Sequence, residues 1–401
     1  MTTIVIITGI VSVLIIGTFL FLRQPSFGRL PQGERMERIR RSPNYKDGEF
    51  KNLQPTQLMT GSKSRWQTLW EFLFADRSRL EPDKPIKAVK TDLKHLPTDE
   101  NLMIWFGHSS YLLQIDGKRI LADPVFHTAS PVSFLYKPFA GTDIYKPEDM
   151  PEVIDYLVIS HDHWDHLDYQ TVVALKDRVR KVVCPLGVGE HFERWGYRKE
   201  QLIELDWMED ARLDKGFTVH CLPARHFSGR GLKSNQSLWA SFLLDTPSLR
   251  IFMGGDSGYG THFHRIAERH PGIDWAILEN GQYNEDWRYI HTLPRQLKQV
   301  AKDLKAKNVV TVHHSKFALA RHPWNEPLQN EKRLQADTTL HVATPFIGEK
   351  LRLSKQIYRY DTDTFPLLMR QSVIPSVPKC HFEDVKVPLR PSRSGTSAKQ
   401  G

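Results

Sequence analysis

The stretch Asp155–Asp168, which reads DYLVISHDHWDHLD, decides the fold of this chain. An apolar run that predicts a buried strand, Tyr156–Ile159, ends at Ser160, and imidazoles and carboxylates follow at once. Four of these groups fall within six positions, namely His161, His163, Asp165 and His166. Neutral imidazoles and a carboxylate are donors that suit zinc and related divalent ions. The stretch therefore predicts a metal site at the end of a strand, with room for two adjacent ions on one loop.

Length and composition allow a sizeable globular core. The chain has 401 residues, 40% of them apolar, which suffices for one large domain or two small ones. Its three cysteines, Cys184, Cys221 and Cys380, are too widely spaced for a disulfide framework or a zinc ribbon. The net charge of +9 is spread along the chain, so we expect no nucleic-acid partner.

The first residues predict a membrane anchor. Ile4–Leu22 contains no charged residue and has about the length that a helix needs to cross a bilayer. The basic start and the cleavage site of a signal peptide are both missing, so residues 1–23 are predicted to stay as a single-pass anchor. Arginines follow this run, and the positive-inside rule then places the bulk of the chain on the cytoplasmic side of the membrane.

The remainder of the chain divides into three predicted parts. Residues 24–97 are predicted to form a juxtamembrane linker and N-terminal extension, with one short helix over Trp66–Phe74. Residues 98–360 carry a dense series of strand signals, at first paired and then alternating with helices, which predicts a layered α/β or α+β domain. Residues 361–401 are predicted to form a C-terminal extension whose tail is partly disordered.

Three later strands also end at groups that can bind a metal. Predicted strands at 217–222, 250–253 and 309–312 lead to His226, Asp256 and His313, respectively. Each signal is weak alone, because a single histidine after a strand is more often a surface residue. Together with the first motif, in this order, they are hard to attribute to chance, although His314 stays open as an alternative to His313.

These residues resemble the ligand set of the metallo-β-lactamase-fold hydrolases. Further motifs are similar to those of N-acyl-phosphatidylethanolamine-hydrolysing phospholipase D and its bacterial relatives. They lie at Trp105–His108, Ala122–Pro124, Ile159–Asp168, Ile203–Trp207, Gly255–Tyr259, Gly281–Tyr283, Tyr289–His291 and His313–Leu319. The resemblance implies an α+β fold, the four-layer αββα metallo-β-lactamase sandwich, here with an N-terminal transmembrane helix. The sequence departs from the family pattern at Glu279-Asn280, where the family has apolar residues.

The resemblance also implies two zinc ions per chain. One would be held by His161, His163 and His226, and the other by Asp165, His166 and His313. Asp256 would bridge the two ions together with a hydroxide. Asp165, Asp256 and His291 are the residues implied in catalysis, and Trp164 and His291 are implied in substrate binding. His108 and Asp123 are expected either to orient ligand imidazoles or to serve as turn residues.

The sequence thus predicts a membrane-anchored dinuclear zinc hydrolase that cleaves a phosphodiester by attack of a metal-bound hydroxide. The expected substrate is a phospholipid, N-acyl-phosphatidylethanolamine, and a homodimer is compatible with this prediction. One alternative is a lactonase of the same fold that acts on a sugar-phosphate lactone. An alternative of another class is a non-catalytic scaffold or sensor that uses metal for stability alone.

Overall fold

The computed structural model describes residues 2–61, 66–67, 70 and 78–356. The chain divides after Arg359 into two compact units, and the second unit, Tyr360–Gly401, lies outside the described residues together with the predicted disordered tail. Most of the helix predicted over Trp66–Phe74 also lies outside them.

Two of the described α-helices precede the strands, and the other described α-helices lie between strands. They are α1 (Thr2–Leu22), α2 (Gly33–Arg41), α3 (Tyr169–Leu175), α4 (Gly189–Arg194), α5 (His262–Arg269), α6 (Pro294–Leu304) and α7 (Glu326–Gln335). A two-stranded hairpin precedes the main domain and consists of β1 (Tyr45–Lys46) and β2 (Glu49–Phe50).

Fourteen further strands form two sheets of seven strands each. The first sheet, in the order β16-β3-β4-β5-β6-β7-β8, contains Lys350–Arg352, Leu102–Trp105, Tyr111–Ile115, Lys118–Ala122, Ile154–Val158, Val179–Pro185 and Leu202–Leu205. The second sheet, in the order β15-β14-β13-β12-β11-β10-β9, contains Val342–Ala343, Asn308–Val312, Trp275–Glu279, Arg250–Met253, Ser241–Asp245, Phe217–Leu222 and Asp210–Asp214.

Each sheet is antiparallel on one side and parallel on the other. Strands β3 to β5 are antiparallel neighbours, and β5 to β8 are parallel. In the second sheet β9 to β12 are antiparallel, and β12 to β15 are parallel. Asp116 and Gly117 form the β4–β5 turn with φ of 48° and 77°, which are the left-handed angles of a tight hairpin turn.

Alternation along the strands divides the core into three layers. Met103 and Trp105 of β3 face the second sheet in a cluster shared by both sheets, whereas Leu102 and Ile104 face outwards towards α3 and α4. A third apolar cluster lies between the second sheet and helices α5 to α7. Because each sheet is buried on both faces, the order of layers is helix, sheet, sheet, helix. This arrangement confirms the predicted αββα fold.

The N-terminal helix α1 is exposed from Ile4 to Leu20. Its segment Ile4–Leu22 has a mean hydropathy of 2.8 and no residue buried against the remainder of the chain, so by length and composition it is a candidate membrane span. Its 21 residues measure about 31 Å at about 1.5 Å per residue, close to the thickness of a bilayer hydrocarbon core.

The segment that follows α1 packs tightly on the first sheet. We call residues 23–41, which include α2, the strap. Arg35 of the strap, 10% exposed, forms ion pairs of 2.5 Å with Glu190, 2.7 Å with Glu193 and 2.7 Å with Glu204. The indole of Trp195 donates a hydrogen bond of 2.7 Å to the carbonyl of Pro25. The strap is therefore attached at several points and is not a free linker.

Candidate metal centre

The predicted site residues lie at one end of the sandwich, where strands of both sheets finish. Strand β6 leads to the motif at His161–His166, β10 leads to His226, β12 leads to Asp256 and β14 leads directly to His313. These strands run in the same direction within their sheets, so their following loops meet at one edge. Polar groups at such an edge are a common way of building a site on a rigid scaffold.

One group of imidazoles comprises His161, His163 and His226. Nε2 of His161 and Nε2 of His226 lie 2.8 and 3.2 Å from Nδ1 of His163. Two nitrogen ligands about 2.1 Å from one ion in tetrahedral geometry are about 3.4 Å apart, so the observed spacing is close to that of a metal site. Burial and neighbouring imidazoles hold the pKa of His161 well below its usual value, which favours the neutral form that binds metal.

A second group contains Asp165, His166 and His313. Oδ2 of Asp165 lies 3.6 Å from Nε2 of His166 and 3.4 Å from Nε2 of His313. Burial opposes ionisation of Asp165, but the imidazoles of His166 and His108 hold the pKa of this carboxyl well below its ordinary value. The group therefore offers one anionic oxygen and two imidazole nitrogens.

Asp256 lies between these two groups. Its Oδ2 is 3.1 Å from Nε2 of His166 and 3.3 Å from Nε2 of His313. The same oxygen is 3.7 Å from Nε2 of His226 and 4.0 Å from Nε2 of His161. One carboxylate thus faces imidazoles of both groups, which is the position that a bridging ligand requires.

The polar atoms at this centre fit a bound cation. Nε2 of His166 and Oδ1 of Asp256 are buried and have no hydrogen-bond partner among the described residues. A buried polar atom without a partner is costly, and metal coordination is one way to remove that cost. The donors, imidazole nitrogens and carboxylate oxygens, are those that zinc and other divalent transition metals accept.

Neighbouring groups hold several of these side chains in place. Asp123 lies 2.8 Å from Nδ1 of His166 and also accepts a hydrogen bond of 2.7 Å from the Ser160 hydroxyl. The carbonyl of Ile290 lies 2.7 Å from Nδ1 of His226. Such contacts to the distal ring nitrogen leave Nε2 free to face the centre and fix the direction of the ring.

His108 also contributes to the centre. Its Nε2 lies 2.9 Å from Oδ2 of Asp165, and its backbone N–H donates a hydrogen bond of 2.8 Å to the carbonyl of His314. Burial lowers the pKa of His108 to about 3, so the ring is neutral and donates to the carboxylate. His108 and Asp123 therefore touch site residues, as the orienting alternative of the sequence analysis expected.

The adjacent histidines 313 and 314 point in different directions. His313 adopts a left-handed backbone with φ of 71°, and its Nε2 faces Asp256 and Asp165. His314 instead places Nε2 3.3 Å from a carboxylate oxygen of Glu331. The geometry therefore favours His313 over His314 as the residue that faces the centre.

Glu279 is a site residue whose role the sequence did not reveal. It ends strand β13, is 4% exposed, and lies 2.7 Å from Nδ1 of His291 and 3.5 Å from Nδ1 of His313. Its other oxygen accepts backbone hydrogen bonds from Ser257 and Thr292. The sequence signal for this role is a carboxylate at the end of an apolar strand. By itself this signal indicates only a departure from the family pattern.

His291 and Trp164 differ in their surroundings. His291 stacks on His313 with ring centroids 5.4 Å apart, and its Nε2 has no hydrogen-bond partner among the described residues.

The guanidinium carbon of Arg230 lies 4.1 Å from the ring centroid of Trp164, and Trp164 makes an edge contact with Phe27 of the strap. A substrate contact for either residue stays a prediction.

Comparisons with known proteins agree with this fold. The model of the beta-lactamase superfamily domain matches residues 118–314. An uncharacterised protein of Mycobacterium tuberculosis is 38% identical over 77% of this chain and 84% of its own length. An N-acyl-phosphatidylethanolamine-hydrolysing phospholipase D of Caenorhabditis elegans is 30% identical over 63% of this chain and 74% of its own length.

One solved structure supports the fold alone. The isothiocyanate hydrolase from Delia radicum gut bacteria matches with a TM-score of 0.51 at 16% identity, covering 64% of this chain and 100% of that chain. The chain belongs to the metallo-β-lactamase superfamily of metal-dependent hydrolases. Within this class its homologues include N-acyl-phosphatidylethanolamine-hydrolysing phospholipases D, which confirms the family resemblance of the sequence motifs.

Proposed function

We propose that this chain is a dinuclear zinc phosphodiesterase that hydrolyses N-acyl-phosphatidylethanolamine at a membrane surface. The observation that carries the proposal is the position of Asp256, whose Oδ2 lies within 4.0 Å of Nε2 atoms from both groups of imidazoles. A structural metal site needs neither a second ion nor a shared carboxylate. This argues against the alternative of a non-catalytic scaffold or sensor.

The side chains divide into two sets of ligands in this proposal. His161, His163 and His226 would hold one ion, and Asp165, His166 and His313 would hold the other, with Asp256 shared. Two bound ions lower the pKa of a shared water and neutralise charge on the oxygens of a phosphodiester. Residues 98–360 would form the catalytic domain that carries all of these groups.

The protein's own groups would orient the substrate and move a proton. His291 holds Nδ1 against Glu279 at 2.7 Å, which leaves Nε2 to donate to, or accept from, a phosphodiester oxygen. Water would add to phosphorus as the bond from phosphorus to the ethanolamine oxygen breaks. The products would be phosphatidate and an N-acylethanolamine. The leaving oxygen would take a proton from His291, and the proton that the attacking water loses would restore it.

The choice of a phospholipid depends on the relatives and on α1. A phospholipase D of this specificity is 30% identical over most of its own length. Helix α1 would keep the enzyme at the surface where such lipids are found, with the catalytic domain proposed on the cytoplasmic side because arginines follow the span. A lactonase acting on a sugar-phosphate lactone is the second candidate, since lactonases of the superfamily share this ligand pattern.

The proposal is tested by measuring metal content and turnover on the purified full-length protein. We expect about two zinc ions per chain and release of N-acylethanolamine from vesicles that contain N-acyl-phosphatidylethanolamine. A parallel assay with lactones separates the second candidate. Fewer than one metal per chain, or no turnover of any phosphodiester or lactone, would show that the protein is not this hydrolase.

A further inference from the structure

A cavity of about 290 Å³ lies between the end of α1 and the loop that follows His226. Its rim is apolar at Leu22, Phe27, Leu30 and Leu232, and basic at Lys233. Leu232 is 86% exposed and Leu30 is 46% exposed. A single exposed leucine is common on protein surfaces, but here two of them share one cavity with the last residue of an apolar helix.

The position of this cavity relative to α1 places it near a membrane boundary. Helix α1 is about as long as the hydrocarbon core is thick, and Leu22 is its final residue. If α1 crosses the bilayer, residues that share a cavity with Leu22 must lie at the level of the lipid head groups or the adjoining acyl chains. Water is therefore not the expected neighbour of Leu30 and Leu232.

The loop that carries Leu232 is fixed beside the strap. Arg230, which is buried, donates hydrogen bonds of 2.8 Å to the carbonyl of Ser26 and 2.6 Å to the carbonyl of Leu167. The N–H of Gly229 donates a hydrogen bond of 2.7 Å to Asp162 within the candidate metal loop. The residues that lead to Leu232 are thus hydrogen-bonded both to the strap, which follows α1, and to the metal-binding loop.

The chemistry of the rim matches an interfacial lipid environment. Leucines enter the boundary between head groups and acyl chains, and lysines next to them remain among anionic phosphates. Lys233 is exposed, and the cavity lining also contains Arg29 of the strap, whose side chain is 41% exposed and forms an ion pair of 2.6 Å with Glu190. An apolar tip with adjacent cations is typical of a surface that binds an anionic bilayer.

We propose that Leu30 and the loop tip Leu232–Lys233 form a bilayer-docking surface that inserts into the membrane crossed by α1. The partner is the lipid bilayer itself, with a preference for anionic head groups. This surface would keep the metal-binding loop at a fixed distance from the lipids. The inference shares with the proposed function the membrane-spanning α1, but it does not require turnover.

The test measures the depth of a spin label in reconstituted full-length protein. Leu232→Cys and, separately, Leu30→Cys are labelled with a nitroxide in a Cys380→Ser background, since Cys184 and Cys221 are buried. Lys215→Cys, at an exposed turn between β9 and β10, is the matched control. Accessibility to oxygen, which concentrates in lipid, is compared with accessibility to a water-soluble nickel complex.

We expect the labels at positions 232 and 30 to favour oxygen by about tenfold relative to the label at position 215. The ratio should increase further when phosphatidylglycerol replaces part of the phosphatidylcholine in the vesicles. Equal ratios at all three positions would overturn the proposal. Labels at 232 and 30 that are protected from both reagents would also overturn it, because protein, for example a second copy of the chain, would then cover the surface.

Since the depth measurement does not depend on catalysis, its failure and that of the proposed function are distinguishable. An inactive protein whose labels lie deep in the bilayer would support the docking surface and contradict the proposed hydrolase activity. An active protein whose labels are exposed to water would support the hydrolase activity and contradict the docking surface.

Discussion

Asp256 occupies the point where imidazole nitrogens from both groups converge. The pKa of this carboxyl is held well below its ordinary value, because His166 and His313 outweigh the opposing effect of burial. It is therefore an anion before any metal binds, and its charge is what two cations would share. The preceding residue, Gly255, has φ of 59° and packs closely against Ser160. A Cβ at position 255 would lie 2.8 Å from Cβ of Ser160, so any larger residue would clash there.

Replacing Asp256 by Asn should abolish turnover while the fold persists. Asparagine has nearly the same shape but cannot supply the shared negative charge, so we expect activity to fall by about 100-fold or more. Turnover and metal content per chain are the measurements, and circular dichroism checks the fold. Asp210→Asn, on the exposed edge strand β9, is the matched control. Unchanged activity in D256N would show that Asp256 does not bridge metals.

Glu279 should act through His291, as a positioning residue. In Glu279→Gln, an amide N–H can face Nδ1 of His291 in place of a carboxylate oxygen, so the ring loses its charged acceptor. We expect kcat to fall by about 10- to 100-fold with metal content retained, and the pH profile of kcat to change shape. An unaltered pH profile together with a lower melting temperature would instead indicate a purely structural role.

At the scale of elements, the strap attaches helix α1 to the domain. Arg35 faces three carboxylates, of which Glu190 is 2% exposed at its side chain and Glu204 is 10% exposed. The strap also contacts the metal-binding loop, because Phe27 lies against Trp164 at a centroid distance of 5.0 Å. A movement of α1 and the strap would therefore displace the loop that carries His163 and Asp165.

Arg35→Ala should destabilise the domain substantially. The substitution removes the cation shared by Glu190, Glu193 and Glu204 and leaves Arg29 as the remaining ion-pair partner of Glu190. Breaking a buried ion pair in this way costs about 3 to 5 kcal/mol. Urea unfolding of the wild type and the variant measures the difference. Lys199→Ala is the control, since its partner Glu34 is 86% exposed at the side chain and such surface pairs contribute little. Equal losses in the two variants would mean that the Arg35 network does not fasten the strap.

Sequence reasoning located strands well where alternation or a turn signal was strong. Strands Phe217–Leu222 and Arg250–Met253 have the predicted bounds, because each is an apolar run limited by polar or turn residues. Helix α2 was missed, since Gly33–Arg41 is nearly all polar and its stabilising contacts come from residues more than 150 positions away. Local patterns carry no information about such distant partners.

The candidate site shows the same division. The residues that face the centre follow strands and form a motif, so sequence order alone brought them together. Glu279 was not recognised, because its role depends on the distance between β13 and the turn before α6, which no local pattern reveals. Trp164 is implied in substrate binding by the family resemblance, but its contact with Phe27 likewise depends on the path of a segment about 140 residues earlier in the chain.

At the scale of the whole molecule, metal binding should be coupled to protons. Burial opposes protonation of His313, but Asp256 and other carboxylates raise its pKa to about 10 in the metal-free protein. At neutral pH the metal-free ring therefore carries a proton that a metal must displace. Metal affinity should rise as pH increases towards that pKa and fall as pH decreases, by about tenfold per pH unit for each proton displaced.

Calorimetric titration of Zn²⁺ into chelator-treated protein measures this coupling. Experiments at about pH 7 and about pH 8, in buffers with different ionisation enthalpies, give both the affinity and the number of protons released. We expect at least one proton per chain and a melting temperature that rises on metal addition. An affinity that is the same at both pH values would contradict the prediction.

The strap also has a consequence for synthesis of the chain. Arg35 is separated from Glu190 by 155 residues and from Glu204 by 169 residues, so its partners leave the ribosome much later. At about 5 to 20 residues per second this delay is about 8 to 34 s, and if α1 spans a membrane as proposed, it can enter the bilayer during this interval. The anchor would then be inserted before the sheet exists, and the domain would complete its folding at the bilayer surface. A soluble form cut after residue 41 would lose the cation that its acidic cluster needs, whereas one cut after Arg23 would keep it.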